Sequence, residues 1–144
     1  MLKSYKVLLL CLVFTGLQKI AAAQEKLLFS EYADSIEITE DELISIFELK
    51  PKATADLKIA EDFHLNTIVL SSLQKYENMR SMILHCRNFE DAIFSLSKIT
   101  DEENQSVFKG RILHSEYDDG YELRINEDGL YYLRKIKVNN SISG

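Results

Sequence analysis

The chain has 144 residues, 17 of them basic and 23 acidic, for a formal net charge of −6. That length suits one domain with its own core. The acidic balance disfavours nucleic acid and anionic membrane surfaces, which repel a negative protein. Two cysteines, Cys11 and Cys86, are too few for a disulfide framework.

Residues 1–23 read as a secretory signal peptide. Lys3 and Lys6 form a basic start, Val7 to Leu17 an apolar run, and Ala21-Ala22-Ala23 a small-residue cleavage site. Eleven apolar residues are too few to span a bilayer, which takes about 20. Cleavage is expected after Ala23, leaving a single exported globular domain over residues 24–144, secreted or periplasmic. The leader holds three of the 17 basic residues and no acid, so residues 24–144 carry 14 basic against 23 acidic side chains, a net of −9. Cys11 leaves with the leader. Cys86 remains, read as a small buried hydrophobe within Met82-Ile83-Leu84-His85-Cys86.

Gln24 to Ser35 is expected to be a lead-in arm or short helix. Thr39 followed by Glu42 has the form of a capping box, and it opens a helix near 40–49 with Leu43, Ile46, Phe47 and Leu49 as its apolar content. Pro51 stops it. Lys52 to Asp56 reads as a loop and Leu57 to Leu65 as a strand.

Residues 66–91 admit two readings. Met79, Met82, Cys86, Phe89, Ile93 and Leu96 lie at helical spacing. Alternatively Thr67–Tyr76 and Arg80–Arg87 are two strands around Glu77-Asn78-Met79. The lack of alanine and the abundance of Ser, Asn, Thr and His favour strands.

From Ala92 onward the pattern is that of a meander. Strands are expected at Ala92–Thr100, Ser106–Ser115, Tyr121–Asn126 and Leu130–Val138, with turns at Asp101–Gln105, Asp118-Asp119-Gly120 and Glu127-Asp128-Gly129. Tyr121, Leu123 and Ile125 share one face. Leu130, Tyr132, Ile136 and Val138 are aligned in the last strand, with Arg134 as the exception. The fold class expected is therefore mainly β, an antiparallel meander over 92–138 with a short N-terminal helix near 40–49. The alternative is α+β with a central helix over 67–90.

Catalytic patterns are missing from the sequence: it contains no G-x-S-x-G, no HExxH and no Cys-x-x-Cys. His64, His85 and His114 have no metal-ligand spacing. The meander would bring Asp101, Glu102 and Glu103 to the same end as Glu127 and Asp128, an oxygen-rich set that could suit calcium, but acidic turns are also ordinary turn chemistry. No enzyme activity and no cofactor are expected. Asn104-Gln105-Ser106 and Asn139-Asn140-Ser141 match the glycosylation sequon, which has meaning only in a eukaryotic secretory protein.

Tyrosine and arginine concentrate near the C-terminus. Tyr117, Tyr121, Arg124, Tyr131, Tyr132 and Arg134 form the candidate interaction face, since these are the residue types that anchor interfaces. The expected function is that of an exported, small, acidic binding protein, of which an inhibitor or immunity-type protein is one form, with another protein as partner and a basic one as the best match for its charge. It is not expected to bind nucleic acid or to be an integral membrane protein. The alternative is a carrier of a small apolar ligand in a cupped sheet or barrel. N-terminal analysis of the protein recovered from its exporting cell should find Gln24, free or cyclised, as the first residue; a start at Met1 would remove the leader.

Overall fold

A computed structural model describes residues 24–138. The leader and the sequon at Asn139 lie outside the described residues. Eight strands form one antiparallel sheet: β1 (Ser35–Glu37), β2 (Thr54–Ala60), β3 (Phe63–Tyr76), β4 (Met79–Cys86), β5 (Ala92–Thr100), β6 (Ser106–Leu113), β7 (Asp119–Ile125) and β8 (Tyr131–Lys137). Among the described residues a single α-helix, α1 (Glu40–Phe47), lies between β1 and β2. The hydrogen-bonded order is β1-β8-β7-β6-β5-β4-β3-β2, so β2 to β8 is an uninterrupted meander and β1 returns to the far edge. The mainly-β expectation holds: in place of a central helix, the 67–90 stretch is two strands as far as Cys86, followed by one short 3-10 turn at Arg87–Phe89.

The sheet curls until β1 and β2 come within 8 Å of each other between Cα atoms. They are not hydrogen-bonded neighbours. A groove of about 410 Å³ follows this seam, with Ile36 and Glu37 on one side and Ile59 and Ala60 on the other.

Alternation fills the inside. Leu65, Thr67 and Val69 of β3, Met82, Leu84 and Cys86 of β4, and Ala92, Phe94 and Leu96 of β5 are all buried. Side chains of period two on a curled sheet give one continuous core. Thr67 is the polar residue in this set, and its hydroxyl donates to the Ala55 carbonyl at 2.9 Å.

Each end of the curled sheet is closed by a different element. At one end α1 buries Leu43, Ile46 and Phe47. Its capping box forms as the sequence implies: Glu42 N–H donates to Thr39 Oγ1 at 3.1 Å, and Thr39 N–H donates to Glu42 Oε2 at 2.7 Å. Phe47 packs on Phe108, which packs on Tyr131, at centroid separations of 5.8 and 5.7 Å.

At the other end the chain before β1 is an arm that turns at Phe29–Tyr32, where Tyr32 N–H donates to the Phe29 carbonyl at 3.1 Å. Its Phe29 is fully buried among Phe63, Phe89 and Tyr121, at 6.4, 5.0 and 5.0 Å. The arm is held by Asp118 and Asp119. Leu28 N–H and Phe29 N–H donate to the two carboxylate oxygens of Asp119 at 2.7 and 2.9 Å. Lys26 N–H donates to the Asp118 carboxylate at 2.9 Å. The Tyr121 hydroxyl donates to the Ala33 carbonyl at 2.6 Å, and Lys135 Nζ donates to the Tyr32 carbonyl at 2.6 Å.

Three sequence expectations change. Leu57–Leu65 is not one strand, because a two-residue turn at Glu61-Asp62 divides it into β2 and β3, and β2 starts within the expected loop, at Thr54. Asp118-Asp119-Gly120 is not a turn. Asp119 and Gly120 begin β7, and a Cβ on Gly120 would lie 2.5 Å from the Ile112 carbonyl oxygen, so glycine serves close strand approach here. Gly129, by contrast, has φ of +79° and does make the β7–β8 turn. Finally, β8 is shifted by one residue: Tyr131 and Leu133 face the core, while Tyr132 and Arg134 face out. Arg134, the exception under the expected alignment, is regular under the observed one.

Removing the Asp119 carboxylate leaves two arm amides without their acceptor. Hydrogen bonds to a charged group each contribute about 1.5–3 kcal/mol, so Asp119→Ala should lose about 3–5 kcal/mol in urea unfolding, with Asp119→Asn in between. Burial, first, and the nearby Asp119 charge, second, hold the Tyr121 hydroxyl above its ordinary value of 10.0. The unfolded chain therefore releases this proton more readily, so the contribution is complete below about pH 10 and declines as pH rises beyond it. Tyr121→Phe should be less stable by about 1 kcal/mol at pH 7, and the gap should narrow above pH 10.

Candidate functional site

The six residues of the expected Tyr/Arg face fall into two groups. Tyr121 and Tyr131 point inward and are buried. Tyr131 accepts a hydrogen bond from Phe108 N–H at 3.2 Å. Tyr117 is also buried. Its hydroxyl donates to the Glu90 carboxylate, which, ahead of burial, keeps the phenol above its usual range. The His114 ring meets it edge-on at 4.9 Å, and Lys26 Nζ lies 4.7 Å above it.

Arg124, Tyr132 and Arg134 do come together on the outside. Arg124 pairs with Tyr132 and Glu122 with Arg134 across β7 and β8. Glu122 bridges to Arg124 at 3.5 Å and to Arg111 at 3.2 Å. A shallow groove of about 550 Å³ beside them is lined by Ser35, Glu37, Asn126, Leu130, Tyr132 and Arg134. This surface is mixed in charge, and its arginines are partly answered by Glu122.

A second outer surface is different in kind. The four neighbouring strands β3, β4, β5 and β6, of 14, 8, 9 and 8 residues, hold Lys75, Arg80, Lys98, Lys109 and Arg111 and no acid. Yet 23 acids are present in the chain. The outward positions of this wall are mostly apolar or serine, with His85, Lys109 and Arg111 also among them. Leu70, Leu73, Tyr76, Ile83, Ile93 and Val107 are all exposed, with Ser71, Ser81, Ser95 and Ser97 among them. The serines lie between the apolar residues: Ser81 pairs with Ser97, and Ile83 with Ser95, across β4 and β5.

Two irregularities create part of this wall. In the β3–β4 register, Val69 faces Leu84 but Ser71 faces Ile83, and Gln74 faces Arg80 but Tyr76 faces Met79. Each is a β-bulge, and each shifts the alternation by one. As a result Leu70, Leu73 and Tyr76, three residues apart, all face outward, with 47, 62 and 62% of their surface exposed. Regular alternation would bury one of them. The acid-free composition of Phe63 to Leu113, its turns aside, was the available sign in the sequence.

No protein-family model, curated protein or solved structure matches this chain.

The remaining chemical candidates do not gather. No three His, Cys, Asp or Glu side chains among the described residues stand close enough to hold a metal ion. Asp101 accepts from Gln105 N–H at 2.8 Å, and Asn126 accepts from Asp128 and Leu130 N–H, both at 2.9 Å, so both acidic turns hold themselves together through their own side chains. Among the described residues no helix is long and apolar enough to cross a membrane. Cys86 is buried, and burial pushes its thiol up to about 12. In a Cys11→Ser background, a thiol reagent at pH 8 should leave Cys86 unmodified until the protein is unfolded, when one equivalent should react; rapid labelling of the folded protein would contradict its burial.

Proposed function

We propose that this chain is an exported, non-catalytic protein-binding module that works through the outer wall formed by β3 to β6. The observation that carries this reading is charge segregation. A domain of net charge −9 keeps every acid out of four adjacent strands while exposing six large apolar side chains on them. Exposed apolar surface kept free of one charge is typical of interfaces, where charged groups are costly to desolvate. The Arg124–Tyr132–Arg134 patch borders this wall through Arg111 and extends it with the residue types that anchor contacts.

The reading revises the kind of partner expected from net charge alone. A basic partner would suit the acidic turns, but the wall itself carries only basic charge. Its partner is therefore apolar with acidic character. Carriage of an apolar ligand inside the sheet is less well supported, because one end of the interior is occupied by Phe29, Phe63, Phe89 and Tyr121 in mutual ring contact.

The test compares the protein with an Ile83→Thr/Ile93→Thr/Val107→Thr variant, which keeps β-branched residues at all three outward positions. Circular dichroism and unfolding should remain close to the parent, since these side chains are outside the core. A tagged parent protein should capture a partner from its native source, and the variant should lose it. Equal capture by both, or no capture by the parent at near-physiological salt, would sink the proposal.

A further inference from the structure

The wall ends at a sheet edge that is unpaired over part of its length. β2 pairs with β3 only from Phe63 to Ile68. The preceding residues extend this slightly, with Lys52 N–H donating to the Val69 carbonyl and Val69 N–H to the Ala53 carbonyl. Beyond Val69, β3 continues to Tyr76 with β4 on one side and no strand among the described residues on the other. Between its two bulges, over Ser71–Gln74, this edge offers backbone donors and acceptors in regular strand geometry, a template for one more strand.

We propose that the Leu70–Tyr76 edge of β3 binds an extended segment of another protein by strand addition, and that this segment alternates apolar and acidic residues. The inference rests on the binding role proposed above and specifies its partner.

Side-chain placement sets the alternation. On the outer side of this edge lie Leu70, Leu73 and Tyr76, and an added strand with apolar residues on that side would continue the wall. On the inner side lie Ser72 and Gln74, facing Met82 and Arg80. Arg80 reaches across β3: its Nη2 donates to Ser72 Oγ at 2.8 Å. Its guanidinium thus lies over the strand next to the vacant edge, within reach of an acid on an added strand. Lys75, on the same edge, is exposed. No carboxylate among the described residues pairs with either.

The same charges decide against a second copy of this chain. Two such edges side by side would bring Arg80 and Lys75 of both copies together, and like charges at adjoining strands are destabilising. Lysine and bulges are familiar defences of edge strands against self-pairing, and here they leave the edge open to a strand of opposite charge. An anionic lipid surface would meet the charge but has no peptide groups with which to complete the ladder.

The experiment uses the full chain and a fluorescein-labelled nonapeptide of alternating valine and glutamate. Its counterparts are a valine–lysine peptide, a valine–glutamate peptide methylated at alternate backbone nitrogens, and phosphatidylglycerol vesicles. Fluorescence anisotropy should find the lysine peptide and the methylated peptide at least about tenfold weaker than the acidic one. Amide hydrogen exchange should slow at residues 70–76 on binding the acidic peptide. Arg80→Glu/Lys75→Glu should reverse the preference, binding the lysine peptide in place of the acidic one, a gain that simple misfolding cannot produce. Equal affinity for the two peptides, indifference to methylation, protection elsewhere than 70–76, or binding to vesicles without binding to peptide would each overturn strand addition. If the acidic peptide fails while partner capture still depends on Ile83, Ile93 and Val107, strand addition is wrong and the binding role of the wall stands.

Discussion

The Asp119 carboxylate is the point on which the arm end of this fold depends. A buried ionised group is costly unless its oxygens are satisfied. Here each oxygen accepts a backbone amide of the arm, from Leu28 and from Phe29. The arm makes no ladder with a neighbouring strand at these residues, so the two amides take from a side chain what a strand would otherwise supply. The consequence is positional. Once these amides are held, Phe29 has one place to go, among Phe63, Phe89 and Tyr121, and burial of such a ring contributes about 2–3 kcal/mol. Tyr121, two residues along β7 from Asp119, then bonds Ala33 and directs the chain into β1. One short segment of β7 thereby organises everything from Lys26 to the start of the sheet.

Much of the architecture was legible in the sequence, and for identifiable reasons. The capping box of Thr39 and Glu42, the turn at Gly129 and the alternation of Tyr121 and Leu123 are local signals, written within a few residues of where they act. What was not legible depends on partners far away in the chain. Asp-Gly at 119–120 has the composition of a hairpin turn, but Asp119 is claimed by an arm some 90 residues earlier, and Gly120 by the Ile112 carbonyl beside it. The register of β8 turned on whether Tyr131 or Tyr132 faced inward, and two adjacent tyrosines offer no hydrophobic contrast to decide it. Glu61-Asp62 makes a tight turn without glycine, asparagine or proline.

The candidate site illustrates the same division. Tyrosine is equally suited to a core and to an interface, so its clustering could not separate the two. In the fold, Tyr117, Tyr121 and Tyr131 serve packing and hydrogen bonding, and only Tyr132 joins Arg124 and Arg134 outside. The more informative signal was negative: the lack of any acid in four strands of an acidic protein. Its meaning needs the sheet, because only lateral pairing turns four separate acid-free stretches into one continuous wall. The bulges of β3 were hidden too, since a bulge is visible only against the strand it faces.

The strand order also has a temporal side. From β2 to β8 every hydrogen-bonded pair joins consecutive strands, so each can form as a local hairpin with little loop-closure cost. Only β1 and the arm must wait for residues about 100 positions away, since Ile36 faces Leu133 and Phe29 is held by Asp119. These segments are the first of the domain to leave the ribosome and the last to find their places. Until β7 and β8 exist, Phe29 lacks the carboxylate that fixes it and Ile36 its strand partner, so a growing chain must carry two of its core residues unplaced through almost all of its own synthesis.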